Sequence, residues 1–222
     1  MSALFITGTD TGVGKTFVAC TIATALRRRG RRVGVVKPVE TGVEREPQAS
    51  DDATRLRAAA GDASPLDDVS PYRFRAPLAP DVAARLENVR IDLDRIVALI
   101  ERRRTSVDVL LVEGAGGLLV PIIGPETWLD LAVRLALPVL IVAANRLGTI
   151  NHCALTARVA QAAGLVVRGV VLSEPVPHPD PSTATNAAAI ADLTGLRILG
   201  TIPHLATPEQ AAAALDVDGI CG

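Results

Sequence analysis

Aromatic residues make up only 2% of this 222-residue chain: three Phe, one Trp and one Tyr. A core must therefore be assembled from Ala, Val, Leu and Ile, as in a parallel sheet covered by helices. The scarcity also leaves little to stack on unpaired bases, which argues against a single-stranded nucleic-acid platform. Charge of one sign is lacking too. At a net charge of −1, no strong field would draw the chain to nucleic acid or to a membrane surface. The three cysteines, Cys20, Cys153 and Cys221, lie far apart and form no metal-ligand spacing; an odd number without a Cys-x-x-Cys pair fits a reducing compartment. Long apolar runs are missing. The longest, residues 135–144, contains Pro138 and is about half of a membrane span. No basic segment precedes an apolar one at the start, so no secretory leader is expected and the chain is read as cytoplasmic.

What is there is organised around Gly8-Thr9-Asp10-Thr11-Gly12-Val13-Gly14-Lys15-Thr16. This stretch follows a short apolar run, residues 3–7, that reads as a strand, and it precedes residues 17–29, which have helical spacing. Strand, glycine-rich turn, Gly-Lys-Thr and helix form the context of a phosphate-binding loop. Glycines let successive N–H groups turn toward phosphate oxygens, and the helix start adds free donors and the positive end of its dipole. In such a loop Lys15 would set a point charge against the β- and γ-phosphates, and Thr16 would offer its hydroxyl to Mg²⁺. Five residues, rather than the usual four, separate Gly8 from Gly14, so the loop is a variant.

Strand-like and helix-like segments alternate along the rest. The pattern is that of an α/β fold: a single-domain, doubly wound, mostly parallel sheet flanked by helices, P-loop NTPase-like over residues 1–222. Residues 32–39 read as the second strand, which delivers Lys37 to the carboxyl end where open α/β sheets bind ligands. Residues 40–50 read as a loop, 51–60 as a helix with an acid in its cap region and Gly61 behind it, and 62–76 as loop-rich. Further helices are expected over 81–87, 91–104, 127–135, up to about 164, over 183–193 and over 207–215. Further strands are expected over 107–113, 138–143, 166–172 and 196–199, with 118–123 as a short apolar continuation. The proline-rich stretch 174–182 reads as a loop, and Arg102 to Arg104 as cations on a solvated helix end.

Glu113 closes a run of aliphatics and is followed by Gly114-Ala115-Gly116-Gly117, which would let a ligand or backbone approach closely. A carboxylate there occupies a Walker B-like place, and burying it implies a metal or lysine partner. Asp52, at a helix start, is a second candidate acid. Lys37 can face the γ-phosphate together with Lys15, and two ammonium groups suit a reaction that gathers several anions.

The P-loop stretch, then Lys37-Pro38-Val39-x-Thr41-Gly42, then Val112-Glu113-Gly114-Ala115-Gly116-Gly117, then Leu147-Gly148-Thr149-Ile150-Asn151-His152 together resemble the dethiobiotin synthetase family in order and spacing. The likeness runs from about Ala3 to about Pro203. It implies an ATP- and Mg²⁺-dependent ligase of biotin synthesis, in which 7,8-diaminopelargonate, CO₂ and ATP give dethiobiotin, ADP and phosphate. The implied route runs through an N-carbamate and a carbamic–phosphoric anhydride. Catalytic roles are implied for Lys37, Lys15 and Thr11, and metal-site roles for Thr16, Asp52 and Glu113, with Asp51 as the neighbouring alternative to Asp52. Nucleotide contacts are implied for Gly12, Val13, Gly14, Lys15, Thr16 and Phe17, and for Asp52, Glu113, Gly114, Ala115 and Gly116. On the base side they fall on Ser173, Glu174, Pro203, His204 and Leu205. Thr11 and Thr41 match positions near the diamine and its carbamate, and substrate contacts are implied for Lys37 and Thr41. Gly148, Thr149, Ile150 and Asn151 match a helix start that receives the substrate carboxylate from across a homodimer, a place where free N–H groups suit an anion.

Two departures stand out. Ser173-Glu174 replaces the Asn-Asp that the family often carries at the base, which leaves nucleotide choice open. Pro77-Leu78-Ala79-Pro80 is followed by Asp81 where a His is common. Two other readings of the loop remain: a small-molecule kinase and a partition-type switch ATPase. Against the second, Asp10 stands where that class has its signature lysine.

Overall fold

The computed structural model describes residues 2–44, 46–174 and 180–221. In β1 (Ser2–Gly8), Leu4 and Ile6 point to one face and Phe5 to the other, and all three are buried. A strand buried on both faces needs helices on both, and the chain supplies them in turn. After β1 come α1 (Lys15–Arg28), β2 (Val33–Val36), β3 (Val39–Thr41), α2 (Asp52–Ala60), α3 (Leu66–Val69) and β4 (Tyr72–Phe74). Then α4 (Pro80–Leu86) and α5 (Leu93–Ser106) lead to β5 (Val109–Gly117), and an antiparallel hairpin joins β6 (Pro121–Ile123) to β7 (Glu126–Thr127). α6 (Trp128–Arg134), β8 (Val139–Ala144), α7 (Thr149–Ala162), β9 (Val167–Ser173), α8 (Thr183–Thr194), β10 (Ile198–Ile202), α9 (Pro208–Ala213) and α10 (Val217–Cys221) follow.

Six strands form one parallel sheet in the order β10-β9-β8-β1-β5-β2. With β1 in the middle, the turns that leave β1, β2 and β5 gather at the carboxyl edge, where such sheets place their ligands. On one face Phe5, Val112 and Ile141 meet Ile96 and Ile100 of α5, Trp128 and Leu131 of α6, and Ala157 of α7. On the other, Leu4, Ile6 and Val142 meet Val18 and Ile22 of α1 and Leu56 of α2. Each such side chain removed from water contributes about 1.5–3 kcal/mol. Phe5, Tyr72, Phe74 and Trp128 all lie on the first face, with the Phe5 and Trp128 ring centroids 6.2 Å apart. The buried residues of the second face are aliphatic or small, as the scarcity of aromatics requires.

The expected second strand, 32–39, is two strands. Pro38 has no N–H to give the sheet. The Lys37 N–H before it donates to the Val69 carbonyl at 2.8 Å, and β3 turns away to pair with β4, Glu40 opposite Arg73. Residues 40–41, expected in a loop, are therefore in a strand, and the loop-rich stretch 62–76 contains α3 and β4. The apolar stretch 118–123 is a turn followed by β6, and the last expected helix ends at Ala213, with α10 beyond it. Within the expected loop 174–182, residues 175–179 lie outside the described residues. No helix among the described residues is long and apolar enough to cross a membrane.

Candidate active site

The glycine-rich turn folds back tightly on the end of β1. A Cβ on Gly8 would stand 2.7 Å from the Asp10 carbonyl oxygen and 2.9 Å from Lys15 Nζ. Gly14, at φ 87°, caps α1; no side chain covers that helix start and its first turn carries no acid. Free N–H groups and the dipole are thus left for an anion. Lys15 is buried and donates to the Asp10 carbonyl at 3.0 Å. Burial pulls its pKa down, only partly offset by Glu113.

Behind the turn, four side chains from four elements converge. β5 pairs with β1 so that Glu113 lies opposite Ile6. Thr16 Oγ1, on α1, donates to Glu113 Oε1 at 2.8 Å. Lys37 Nζ, just past β2, reaches the same oxygen at 2.5 Å and Asp52 Oδ2, on α2, at 2.9 Å. Glu113 is 1% exposed and Lys37 4%. Burial alone would pull the Lys37 pKa down, but Glu113 and Asp52 together outweigh it and raise it, so the ammonium stays charged. For Asp52 burial pushes upward, and Lys37, together with Thr16 and Arg55, reverses it, so its pKa lies below the ordinary value. Between the two candidate acids the geometry separates roles: Asp52 faces Lys37, whereas Asp51 pairs with Arg73 at 2.6 Å.

Glu113 Oε2 is buried without a hydrogen-bond partner among the described residues. An orphaned carboxylate oxygen is costly unless something arrives to use it. With Asp52 and Thr16 Oγ1 it makes an oxygen set that fits Mg²⁺, which takes one or two carboxylates and leaves its other positions to water and phosphate. Among the described residues no group of three or more His, Cys, Asp or Glu side chains forms a metal cage, so an all-protein site is not the arrangement present.

A cavity of about 710 Å³ opens in front of this cluster. Thr11, Gly12, Gly14, Lys15, Thr16 and Phe17 line it together with Lys37, Thr41, Asp52, Ala115 and Gly116. Val13 is inside the turn, its carbonyl accepting from Ser173 Oγ at 2.7 Å, and Gly114 packs so closely on Phe5 that a Cβ would stand 2.9 Å from the ring. Pro77 to Pro80 close the wall, while Asp81 turns away, accepting from the Gly124 N–H at 3.0 Å and pairing with Arg85.

The remaining predicted residues do not line that cavity. Glu174, Pro203, His204 and Leu205 stand past the ends of β9 and β10. Beside them Asn145, which sequence reasoning did not pick out as a site residue, donates to Glu174 Oε1 at 3.5 Å and accepts from Asn186 at 2.9 Å. Gly148, Thr149, Ile150 and Asn151 open α7. Gly148, at φ 92°, is the cap, so Asn151 sits inside the first turn rather than capping it; again no side chain covers the helix start. Glu40 and Arg73 were also missed. Glu40 lines the cavity from β3, and its only sequence signal is its place beside the Lys37-Pro38-Val39 stretch.

A free helix start with a lysine over it, and a magnesium-type oxygen set at the end of the central strand, answer to the phosphate tail of a nucleotide: by fold and site the chain is a P-loop NTPase-class protein. Solved structures of that fold agree. The MinC:MinD cell division protein complex of Aquifex aeolicus matches with a TM-score of 0.55 at 18% identity, over 92% of this chain and 82% of that one. A ParA family ATPase from Chlorobium tepidum matches with a TM-score of 0.54 at 14% identity, over 97% and 91%. At such identities the likeness is one of fold. The protein-family model described as AAA domain matches residues 2–212. An ATP-dependent dethiobiotin synthetase from Anaeromyxobacter dehalogenans is 48% identical over 97% of this chain and 96% of its own, and one from Aromatoleum aromaticum is 40% identical over 98% of both. The chain belongs to the ATP-dependent dethiobiotin synthetase family.

Proposed function

We propose that this chain, acting over its whole length as one P-loop domain, closes the cyclic urea of dethiobiotin from 7,8-diaminopelargonate, CO₂ and ATP. The observation that carries the proposal is the second lysine. Lys37 and Lys15 both line a cavity of about 710 Å³, within the size range of small-molecule and cofactor sites. A hydrolytic switch has one polyanion to hold; a carbamate beside a triphosphate presents two.

In this reading one substrate amine adds to CO₂ and loses a proton, giving a carbamate. Lys37 holds that anion, and Thr11 and Thr41, both on the cavity wall, hold the amine end. A carbamate oxygen attacks the γ-phosphorus and the bond to ADP breaks. Lys15 and the α1 N–H groups neutralise the charge that grows on the transferring group, which is positioning and electrostatic stabilisation. The second amine then attacks the carbamoyl carbon, phosphate leaves, and its oxygens take the released proton. Thr16, Asp52 and Glu113 would hold Mg²⁺, which when bound supplies positive charge to the phosphates. Ser173, Glu174 and Pro203 to Leu205 form the base side.

The start of α7 binds the substrate carboxylate in the cavity of a second copy, making the working unit a homodimer. Two features support this: no side chain caps the helix, Asp180 accepting from the Leu147 N–H before it at 3.0 Å, and the helix start does not line its own chain's cavity. A cytoplasmic site of action fits the free, largely buried thiols.

The test is mass spectrometry of protein incubated with 7,8-diaminopelargonate, bicarbonate, Mg²⁺ and each nucleoside triphosphate in turn. Dethiobiotin is expected only when diamine and triphosphate are both present. Its absence with every triphosphate, from folded protein, would overturn the proposal and favour a kinase.

A further inference from the structure

Glu40 has no part in the chemistry above, yet it is 3% exposed in the wall of the site. Its Oε1 accepts from the backbone N–H of Asp52 at 2.6 Å and of Ala53 at 3.3 Å. Those are first-turn donors of α2, a helix whose own cap residue, Asp51, makes no side-chain cap. Asp51 is occupied elsewhere: its Oδ2 accepts from the Gln48 N–H at 2.9 Å and from Arg73 at 2.6 Å. Arg73 lies opposite Glu40 in the β3–β4 pair, and its Nε is 3.8 Å from Glu40 Oε2. One guanidinium thus hydrogen-bonds Asp51 and sets its charge near Glu40, whose Oε2 has no hydrogen-bond partner among the described residues, and one carboxylate from a neighbouring strand terminates α2. The residue held most directly by that carboxylate is Asp52.

We propose that Glu40, with the Arg73 charge beside it, is a positioning residue for the metal-site acid: it caps α2 from outside the helix and fixes where Asp52 presents its carboxylate. The physical reason is rigidity. A helix that starts beside a loop frays at its first turn unless its free N–H groups are satisfied. Here the fraying turn would carry the very acid that must meet Lys37 and the metal. A cap supplied by β3, the strand that directly follows Lys37-Pro38, ties Asp52 to the same backbone that delivers Lys37. The inference rests on the reading of Asp52 as a metal-site acid.

Two readouts test it, one without metal. Hydrogen exchange on the free protein should show the Asp52 and Ala53 amides of Glu40→Ala exchanging about fivefold faster or more, with α1 unchanged. Electron paramagnetic resonance of Mn²⁺, bound with a non-hydrolysable ATP analogue, should show affinity falling about tenfold. Glu40→Gln keeps an oxygen acceptor and the fold, and should restore most of both. Asp52→Asn is the reference. If it weakens Mn²⁺ binding while Glu40→Ala does not, the positioning role is overturned and the metal site stands. If Asp52→Asn leaves Mn²⁺ binding unchanged, the metal-site reading fails and the positioning role falls with it. Failure of Glu40→Gln to restore the amide protection would also overturn the cap.

Discussion

Among the buried ion clusters of the described residues, two differ in how far their carboxylates are satisfied. In the first, Glu113 and Asp52 meet Lys37 and Thr16, and Glu113 Oε2 is left without a partner. In the second, Arg103 of α5 pairs with Asp62 and Ser64 between α2 and α3. There both carboxylate oxygens are used: Asp62 Oδ1 accepts from the Ser64 N–H at 3.0 Å and Oδ2 from the Val35 N–H at 3.3 Å. Val35 is on β2, at the edge of the sheet, so Asp62 satisfies an N–H that would otherwise meet no strand. Both clusters bury charge. The saturated carboxylate holds the sheet edge shut, whereas the unsaturated one borders a cavity and has capacity left for a ligand.

That difference sets how each cluster should break. Lys37→Ala and Lys15→Ala are each expected to lower dethiobiotin formation by about 10³-fold or more, since in the proposed route each removes a charge that faces the reacting anions. Most activity surviving in Lys37→Ala would remove the carbamate from that residue. Arg103→Ala should do the reverse. It leaves Asp62 charged and unpaired, and urea denaturation should show a loss of about 3–5 kcal/mol, with kcat of the folded protein unchanged. A drop in kcat at full stability would erase the distinction between the clusters. Glu113→Gln is milder: it keeps the shape but not the charge, and the Mg²⁺ concentration for half-maximal activity should rise about tenfold or more. Unchanged metal dependence would count against Glu113 as a ligand.

An exposed pair marks the lower end of the scale. Hydrogen bonds from Arg32 hold the Asp108 carboxyl down to about 2. A carboxylate whose folded pKa is depressed stabilises the fold above its ordinary value, about 3.9, and that contribution is lost as pH falls through about 2. The denaturation midpoint of Asp108→Asn should therefore vary less than that of the parent between those two pH values. Because the pair is solvated, the effect is expected to be the smallest of the four.

Local pattern announced one cluster and misread the other. Lys15 and Thr16 open α1, Lys37 follows β2 and Glu113 closes the run of aliphatics within β5, each with a recognisable signal, so their meeting at the carboxyl edge followed from the order of strands and helices. Arg103 sits in a run of arginines at a helix end and reads as solvated; it is buried because Asp62, 41 residues earlier, comes back against it. β3 and β4 escaped for the same reason. Each has three residues, too few to show a period, and they exist because they pair with each other. Asn145 and Asn186 likewise gain meaning only from their contact across 41 residues.

By itself the sequence determined the fold class, the phosphate loop, the strand segments that deliver Lys37 and Glu113, and the family, because these depend on short-range periodicity and on residue types whose spacing has few other uses. The tertiary structure alone decided which of Asp51 and Asp52 faces Lys37, that Glu40 rather than Asp51 caps α2, that Arg103 lies inside, and that the α7 start does not line its own chain's cavity. Those outcomes depend on distant segments competing for one partner, and a carboxylate's partner is settled by distance and burial, which appear only once the chain has folded.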